Sequence, residues 1–108
     1  MIRQDGPGLE TIILAVAAEF GVRTIDVRSQ RRNRAAVRAR HTGMWLARHL
    51  TPCSYPEIGR LFGRRDHTTV MHGVKAIDRH MLDDPWFAKR VRALALALGD
   101  EDNDADPR

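Results

Sequence analysis

Residues 54–70 read SYPEIGRLFGRRDHTTV, and this stretch carries the signals of two consecutive helices. Ser54 and Glu57 have the spacing of a capping box, which predicts a short helix that runs to about Phe62. A glycine turn follows, and a second helix is predicted over about Asp66–Leu82. Two helices joined by a short glycine-containing turn are the layout of a helix-turn-helix, whose second helix reads base edges in the major groove of DNA.

The first turn of this second helix carries side chains that suit a groove better than a core. Asp66 can accept a hydrogen bond from cytosine, His67 can donate to a base, and Thr68 offers a methyl group to thymine. Asp66 has a second interpretation as the N-cap of its own helix, and both roles can hold together. One side of the helix is polar and largely cationic, with Thr68, His72, Lys75 and Arg79 at helical spacing.

The rest of the chain also shows helical periodicity and no strand pattern. Helices are predicted over about Leu9–Phe20, from an N-cap at Thr24 to Val27, over about Arg34–Leu50, and from Asp84-Pro85 to about Leu98. The inner stripe of the long third predicted helix is Val37, His41, Met44, Trp45 and Leu50. The last helix is predicted to bury Trp86, Val91, Leu94 and Leu98 and to end at Gly99. The predicted class is all-α, a bundle of about six helices, with a flexible leader over 1–8, one domain over 9–98 and a disordered acidic tail over 99–108.

The charge distribution points to a polyanionic partner. The 108 residues include 16 arginines and two lysines, and residues 23–65 hold eleven arginines against two acids, a net charge of +9. The last nine residues carry a charge of −4. A dense basic body indicates phosphate contact, and the preference for arginine suits bidentate contacts. The acidic tail is interpreted either as a weak electrostatic competitor for the DNA surface or as a solubility segment.

Several other classes of function are disfavoured. No stretch approaches a membrane span, and the single cysteine fits a reducing cytoplasm. The five histidines and Cys53 lack the spacing of a zinc site, so no metal is predicted. Cys53 has no neighbouring base, and no catalytic constellation is visible, so we predict no enzyme activity. Trp45 and Trp86 could stack on bases, but their apolar surroundings favour core anchors.

The motif Ser54-x-Pro56-Glu57-Ile58-Gly59-x3-Gly63-x-Arg65-Asp66-His67-Thr68-Thr69-Val70-x-His72 resembles the signature of the C-terminal DNA-binding domain of DnaA, the bacterial chromosomal replication initiator. The upstream Ser29-x-Arg31-Arg32-x-Arg34 resembles the basic loop of that domain. The resemblance covers about residues 9–98 and implies binding of one domain to a short, asymmetric, A·T-rich element, the DnaA box.

The resemblance also implies roles for individual residues. Asp66, His67 and Thr68 correspond to base contacts in the major groove, and Arg32 to the arginine that enters the adjacent minor groove. A narrow A·T-rich minor groove attracts arginine through its negative potential. The remaining predicted contacts go to the DNA backbone and come from Arg31, Arg40, Arg48, Pro56, Arg64, Arg65, Thr69, His72 and Lys75.

The chain departs from the family pattern at four positions. Tyr55 replaces a usual leucine, Arg64 a second glycine, Gln30 a lysine and His41 a glutamine. The 108 residues also lack a phosphate-cradling Gly-x4-Gly-Lys-Ser/Thr loop, so we expect no nucleotide or other cofactor. We therefore predict a lone DNA-binding domain or a fragment of a longer initiator.

The predicted partner is double-stranded DNA at DnaA-box-like sites, bound by a monomer in the cytoplasm, associated with the nucleoid. The predicted role is initiation or regulation of replication, or transcription control. The alternative from another class is a protein-interaction module, in which the acidic tail or the apolar helix ends bind an initiator or a nucleoid protein.

Overall fold

The computed structural model describes residues 7–100 of the chain. Within that range it contains six α-helices, a closing π-helical turn and no strand, so the all-α prediction is confirmed. The elements are α1 (Leu9–Phe20), α2 (Thr24–Val27), α3 (Arg34–Leu50), α4 (Tyr55–Leu61), α5 (His67–Asp83), α6 (Pro85–Ala95) and the π turn (Leu96–Asp100). The predicted leader over 1–8 and tail over 99–108 lie largely outside the described residues and stay predictions.

The central helix α3 packs against α1 on one side and α5 on the other. The predicted inner stripe is only partly right, because Met44 is fully buried whereas the other four members are half-buried. The most enclosed face of α3 instead consists mainly of small residues, namely Ala36, Ala39, Gly43 and Ala47. Small side chains let neighbouring elements approach closely, and a Cβ on Gly43 would lie 2.7 Å from the Phe62 ring. Size and hydrophobicity therefore mislead about which side of this helix faces the centre.

Helix α1 and the short helix α2 form one end of the bundle. The predicted core residues Ile12, Ile13, Val16 and Ala17 are buried, and Gly21 ends α1 at φ 67°, in the left-handed region. The predicted N-cap at Thr24 is wrong by one residue, since Arg23 holds the extended cap conformation and Thr24 is the first helical residue. The Arg23 side chain instead pairs with Asp26, with Nε and Oδ2 3.2 Å apart.

The helix-turn-helix consists of α4, a five-residue turn over 62–66, and α5. The predicted capping box is confirmed, because the Ser54 hydroxyl accepts from the Glu57 N–H and the Glu57 carboxylate accepts from the Ser54 N–H at 2.7 Å. The turn passes through Gly63 at φ 91° and Arg64 at φ 58°, two consecutive left-handed residues. Glycine adopts this conformation freely, whereas a residue with a Cβ is strained there by about 1–2 kcal/mol.

The buried face predicted for the last helix is right at Val91, Leu94 and Leu98 and wrong at Trp86. Asp84 accepts hydrogen bonds from the N–H groups of residues 86 and 87, which fixes Pro85 as the first helical residue. This phase buries Phe87 and Val91 and leaves the predicted core anchor Trp86 74% exposed. The prediction that Gly99 ends the helix is also wrong, because the π turn continues to Asp100 and brings Gly99 against Leu50.

Candidate nucleic-acid interface

The first turn of α5 projects into solvent as predicted. Asp66, His67 and Thr68 are exposed, and Thr69 is half-buried. Asp66 is the N-cap of α5, since its Oδ1 accepts from the Thr69 N–H at 2.9 Å. This hydrogen bond holds the pKa of the Asp66 carboxyl below its usual range, so the side chain is a carboxylate at neutral pH. The carboxylate is exposed to solvent and can accept from a donor outside the chain as well.

A loop over residues 28–33 lies beside this first turn. Arg31 and Arg32 are both exposed on the loop. The Arg31 guanidinium pairs with Asp26 at 3.0 Å, whereas Arg32 forms no ion pair in the part of the chain that the structure describes. An open cleft of about 360 Å³ separates the loop from α5 and is lined by Gln30, Arg31, Arg32, Val37, Arg40, His41, Arg65 and Thr69. The fold thus brings Arg32 and Thr69, in the first turn of α5, to the lining of one cationic cleft.

Arg65 faces inward, toward the loop, and not outward toward solvent. Its Nη2 donates to the Ser29 carbonyl at 2.7 Å, and its Nη1 donates to the Gln30 amide oxygen at 3.3 Å. Its Nε is buried without a hydrogen-bond partner among the described residues, and burial lowers the pKa of the guanidinium. These contacts hold most of the guanidinium against the protein. Few donors of Arg65 therefore remain free for the predicted contact with the DNA backbone.

Arg40 lies beneath the interface instead of on it. Its side chain is 3% exposed, and it donates from Nε to the Val27 carbonyl at 2.9 Å and from Nη2 to the Asp26 carbonyl at 2.8 Å. Burial, followed by the positive charge of Arg65, lowers the pKa of Arg40 to about 10, which still leaves it protonated at neutral pH. The guanidinium of Arg40 is therefore not exposed for the predicted phosphate contact, because it binds the carbonyl groups at the end of α2.

The other predicted backbone contacts are surface residues that flank the first turn of α5. Arg48 stacks over the ring of Tyr55, with 4.3 Å from Cζ to the ring centroid, and so lies beside the N-terminal end of α4, where Pro56 is exposed. His72 and Lys75 line a shallow groove along α5. A further cleft is lined by Arg60, Arg64, Arg65 and Asp66. Arg64 is exposed, and its neighbour Arg60 is a candidate contact that the sequence reasoning missed.

The side chains that line the cleft carry an excess of positive charge, which favours binding of an anion. Arg31, Arg32, Arg40 and Arg65 line it, and no acidic side chain of residues 7–100 does. His41 lies at the same wall, where burial and the nearby guanidinium groups lower the pKa of its imidazole. The imidazole is therefore neutral at pH 7, and the arginines supply the positive potential.

A comparison with protein families identifies the chain. The sequence model described as bacterial dnaA protein helix-turn-helix matches residues 9–77. The chain belongs to this family. The region that matches the DnaA helix-turn-helix includes all of α4, most of α5 and the loop that carries Arg32.

Similar proteins of known name agree with this assignment. The chain is 42% identical over 90 residues to the chromosomal replication initiator protein DnaA of Caulobacter sp. (strain K31), covering 83% of this chain and 18% of the relative. It is 45% identical over 93 residues to the DnaA of Bartonella quintana (strain Toulouse), covering 86% and 19%. The chain thus spans about a fifth of the length of these relatives.

A solved structure shares the fold. The crystal structure of a DNA replication initiation factor superposes with a TM-score of 0.76 at 32% sequence identity, covering 86% of this chain and 28% of that chain. Within residues 7–100, no helix is long and apolar enough to cross a membrane, and no three His, Cys, Asp or Glu side chains are grouped to hold a metal ion.

Proposed function

We propose that this chain binds double-stranded DNA sequence-specifically, at short A·T-rich boxes of the type recognised by the DnaA helix-turn-helix. The observation that carries the proposal is the arrangement at the start of α5, where Asp66, His67 and Thr68 lie exposed and the next residue, Thr69, lines a cationic cleft together with Arg32. In a helix-turn-helix the first turn of the second helix enters the major groove. A basic loop at its side is placed to reach the adjacent minor groove.

The proposed contacts fall into two groups, one that contacts the DNA backbone and one that reads the sequence. Arg31, Arg48, Arg64 and Lys75 contact phosphates and set affinity and register, with Pro56, Thr69 and His72 against the same backbone. Asp66, His67, Thr68 and Arg32 discriminate between sequences through base edges and groove width. The mechanism is binding alone, without chemistry on the DNA.

Fluorescence anisotropy with a box duplex and a scrambled duplex tests the proposal. The box duplex is expected to bind more tightly, and the affinity for both is expected to fall steeply with salt because phosphate contacts release counterions. Equal affinity for the two duplexes would reject sequence specificity. Affinity that does not change with salt would reject phosphate contact as the driving force.

Substitution of Asp66 separates base reading from helix capping. Asp66→Asn retains a cap oxygen, so the free energy of unfolding is expected to stay within about 0.5 kcal/mol of wild type. Discrimination between the box and a single-base variant is expected to fall by about 1–3 kcal/mol. Asp83→Asn is the matched control, because Asp83 is exposed at the other end of α5. Unchanged discrimination in Asp66→Asn would limit Asp66 to capping.

The biological role that fits this activity is initiation or regulation of replication, or transcription control, through occupancy of boxes. The relatives are named as chromosomal replication initiator proteins, and this chain matches about a fifth of their length. One monomer occupies one box, in the cytoplasm and on the nucleoid, and takes no nucleotide. Calorimetry with ATP tests the last point, since a micromolar ATP site would contradict it.

One observation favours the second candidate, a protein-interaction module. Leu82 and Trp86 are 84% and 74% exposed, and they lie at the end of α5 opposite to Asp66. The partner would be an initiator or a nucleoid protein. Trp86→Ala is then expected to abolish capture of that partner while leaving box affinity unchanged, and loss of box affinity would count against this assignment.

A further inference from the structure

We infer that Gln30 and Arg65 form a clamp that fixes the loop over 28–33 against the turn of the helix-turn-helix, and so sets the position of Arg32 relative to α5. The clamp is defined by these two side chains and by the carbonyl groups of Ser29 and Gly63. Both side chains are positioning residues, and neither is assigned a contact with a base. The functional part of this inference rests on the proposed DNA binding.

Hydrogen bonds run across the clamp in both directions. From the turn, Arg65 donates to the Ser29 carbonyl at 2.7 Å and to the Gln30 side-chain oxygen at 3.3 Å. From the loop, Gln30 donates through Nε2 to the Gly63 carbonyl at 2.8 Å. The two elements are more than thirty residues apart in sequence, so these bonds connect segments that have no local reason to stay together.

The backbone of the turn is shaped to accept the loop. Gly63 has φ 91°, and a Cβ at this position would lie 3.0 Å from the Arg28 carbonyl oxygen and 3.2 Å from that of Ser29. The Arg65 N–H donates to the Gly59 carbonyl at 2.8 Å, which holds the turn against α4. The loop therefore packs directly on a rigid turn, and the clamp closes that contact.

The other end of the loop is also fixed. The Ser29 hydroxyl donates to the Asp26 carbonyl at 2.9 Å and accepts from the Arg31 N–H at 3.0 Å. Arg40 holds the Asp26 and Val27 carbonyl groups from below. Arg31, next to Arg32, pairs with Asp26 on α2, and the clamp at Gln30 is the nearest attachment on this side that ties Arg32 to the turn of the helix-turn-helix.

Glutamine is suited to this position because its amide donates and accepts at the same time. A lysine in its place would have three donors and no acceptor. A lysine ammonium at this position could donate to the Gly63 carbonyl, but it could not accept from Arg65 and would be repelled by its charge. The amide group therefore allows Gln30 to accept from Arg65 and to donate to the Gly63 carbonyl at the same time.

A double-mutant cycle on box affinity tests the clamp. Gln30→Met keeps side-chain length and neutral charge and removes both hydrogen bonds. We expect Arg32→Ala to weaken box binding by about tenfold in the wild-type background, the scale of one base contact. In the Gln30→Met background the same substitution is expected to cost less than threefold, because Arg32 is then no longer held in place.

The matched control pairs Gln30→Met with Thr68→Ala. Thr68 lies on α5 and not on the loop, so these two effects are expected to multiply independently. Independent effects for the Arg32 pair as well would overturn the clamp. A coupling of equal size in both pairs would also overturn it, since that result indicates a general loss of structure.

Hydrogen exchange of the free protein separates failure of the clamp from failure of the proposed function. Gln30→Met is expected to raise the exchange rate of amides in residues 28–33 while the amides of α1 and α5 stay unchanged. Unchanged exchange in the loop would overturn the clamp even if wild-type protein binds boxes tightly. Faster exchange confined to the loop would uphold the clamp even if no duplex is bound sequence-specifically.

Discussion

Replacement of Arg40 by methionine gives the sharpest test of which arginines hold the fold and which contact DNA. Arg40 is 3% exposed and donates to the carbonyl groups of Asp26 and Val27. A hydrogen bond from a charged group contributes about 1.5–3 kcal/mol to stability. Methionine fills a similar volume and removes the cost of a buried charge. The net loss of stability is therefore smaller than the full contribution of the two hydrogen bonds. We expect Arg40→Met to lower the free energy of unfolding by about 2–4 kcal/mol.

Urea denaturation measures this loss, and a salt titration of DNA binding measures the other possibility. Arg34→Met is the matched control on the same helix, because Arg34 is exposed and is expected to change stability by less than about 0.5 kcal/mol. If Arg40 contacted a phosphate, the variant would keep wild-type stability. The slope of log affinity against log salt would then fall by about 0.9. That pair of results would refute the structural role of Arg40.

Three further perturbations follow from the packing. A Cβ on Gly59 would clash with the Arg65 carbonyl oxygen, so Gly59→Ala is expected to cost about 2–4 kcal/mol in urea denaturation, and a neutral result would contradict the tight turn. Burial lowers the pKa of His41, so the unfolded chain takes up a proton at a higher pH than the folded chain does. The free energy of unfolding should therefore fall as the pH drops below about 6.5, and His41→Gln should reduce this fall in urea denaturation measured at several pH values. Phe87→Ala is expected to cost about 3–5 kcal/mol and Trp86→Ala under about 1, and similar thermal shifts would reject the assigned burial.

The helix boundaries could be predicted because their causes are local. The capping box at Ser54 and Glu57, the left-handed glycine after α1 and the Asp84-Pro85 start of α6 each involve residues within one turn of each other. Such signals are complete in the sequence itself. In α6 the prediction fails only at the first inner residue, because the Asp84 cap sets a phase that turns Phe87 inward and leaves the bulkier Trp86 in solvent.

The exposed part of the candidate site was equally predictable. Asp66, His67 and Thr68 begin a helix whose opposite side is apolar, so helical periodicity places them in solvent. The roles of Arg40 and Arg65 were not accessible in this way. Arg40 contacts carbonyl groups 13 and 14 residues away, and Arg65 contacts one 36 residues away. No spacing rule connects such partners, because only the tertiary arrangement of α2, α3 and the turn brings them together.

Because Arg40 and Arg65 face inward, the net charge of the basic segment overestimates the number of its DNA contacts. The eleven arginines over 23–65 suggest many phosphate contacts, yet Arg40 and Arg65 donate to backbone carbonyl groups, and Arg23 and Arg31 pair with Asp26. The short helix α2 explains part of this, since its last carbonyl groups have no helical partners and attract donors. Arg40 and Arg65 are therefore not free to displace counterions from DNA, whereas Arg31 keeps a 60% exposed side chain beside Asp26 and remains a candidate for phosphate contact. The salt dependence of binding should therefore reflect the exposed arginines and not the net charge of the segment.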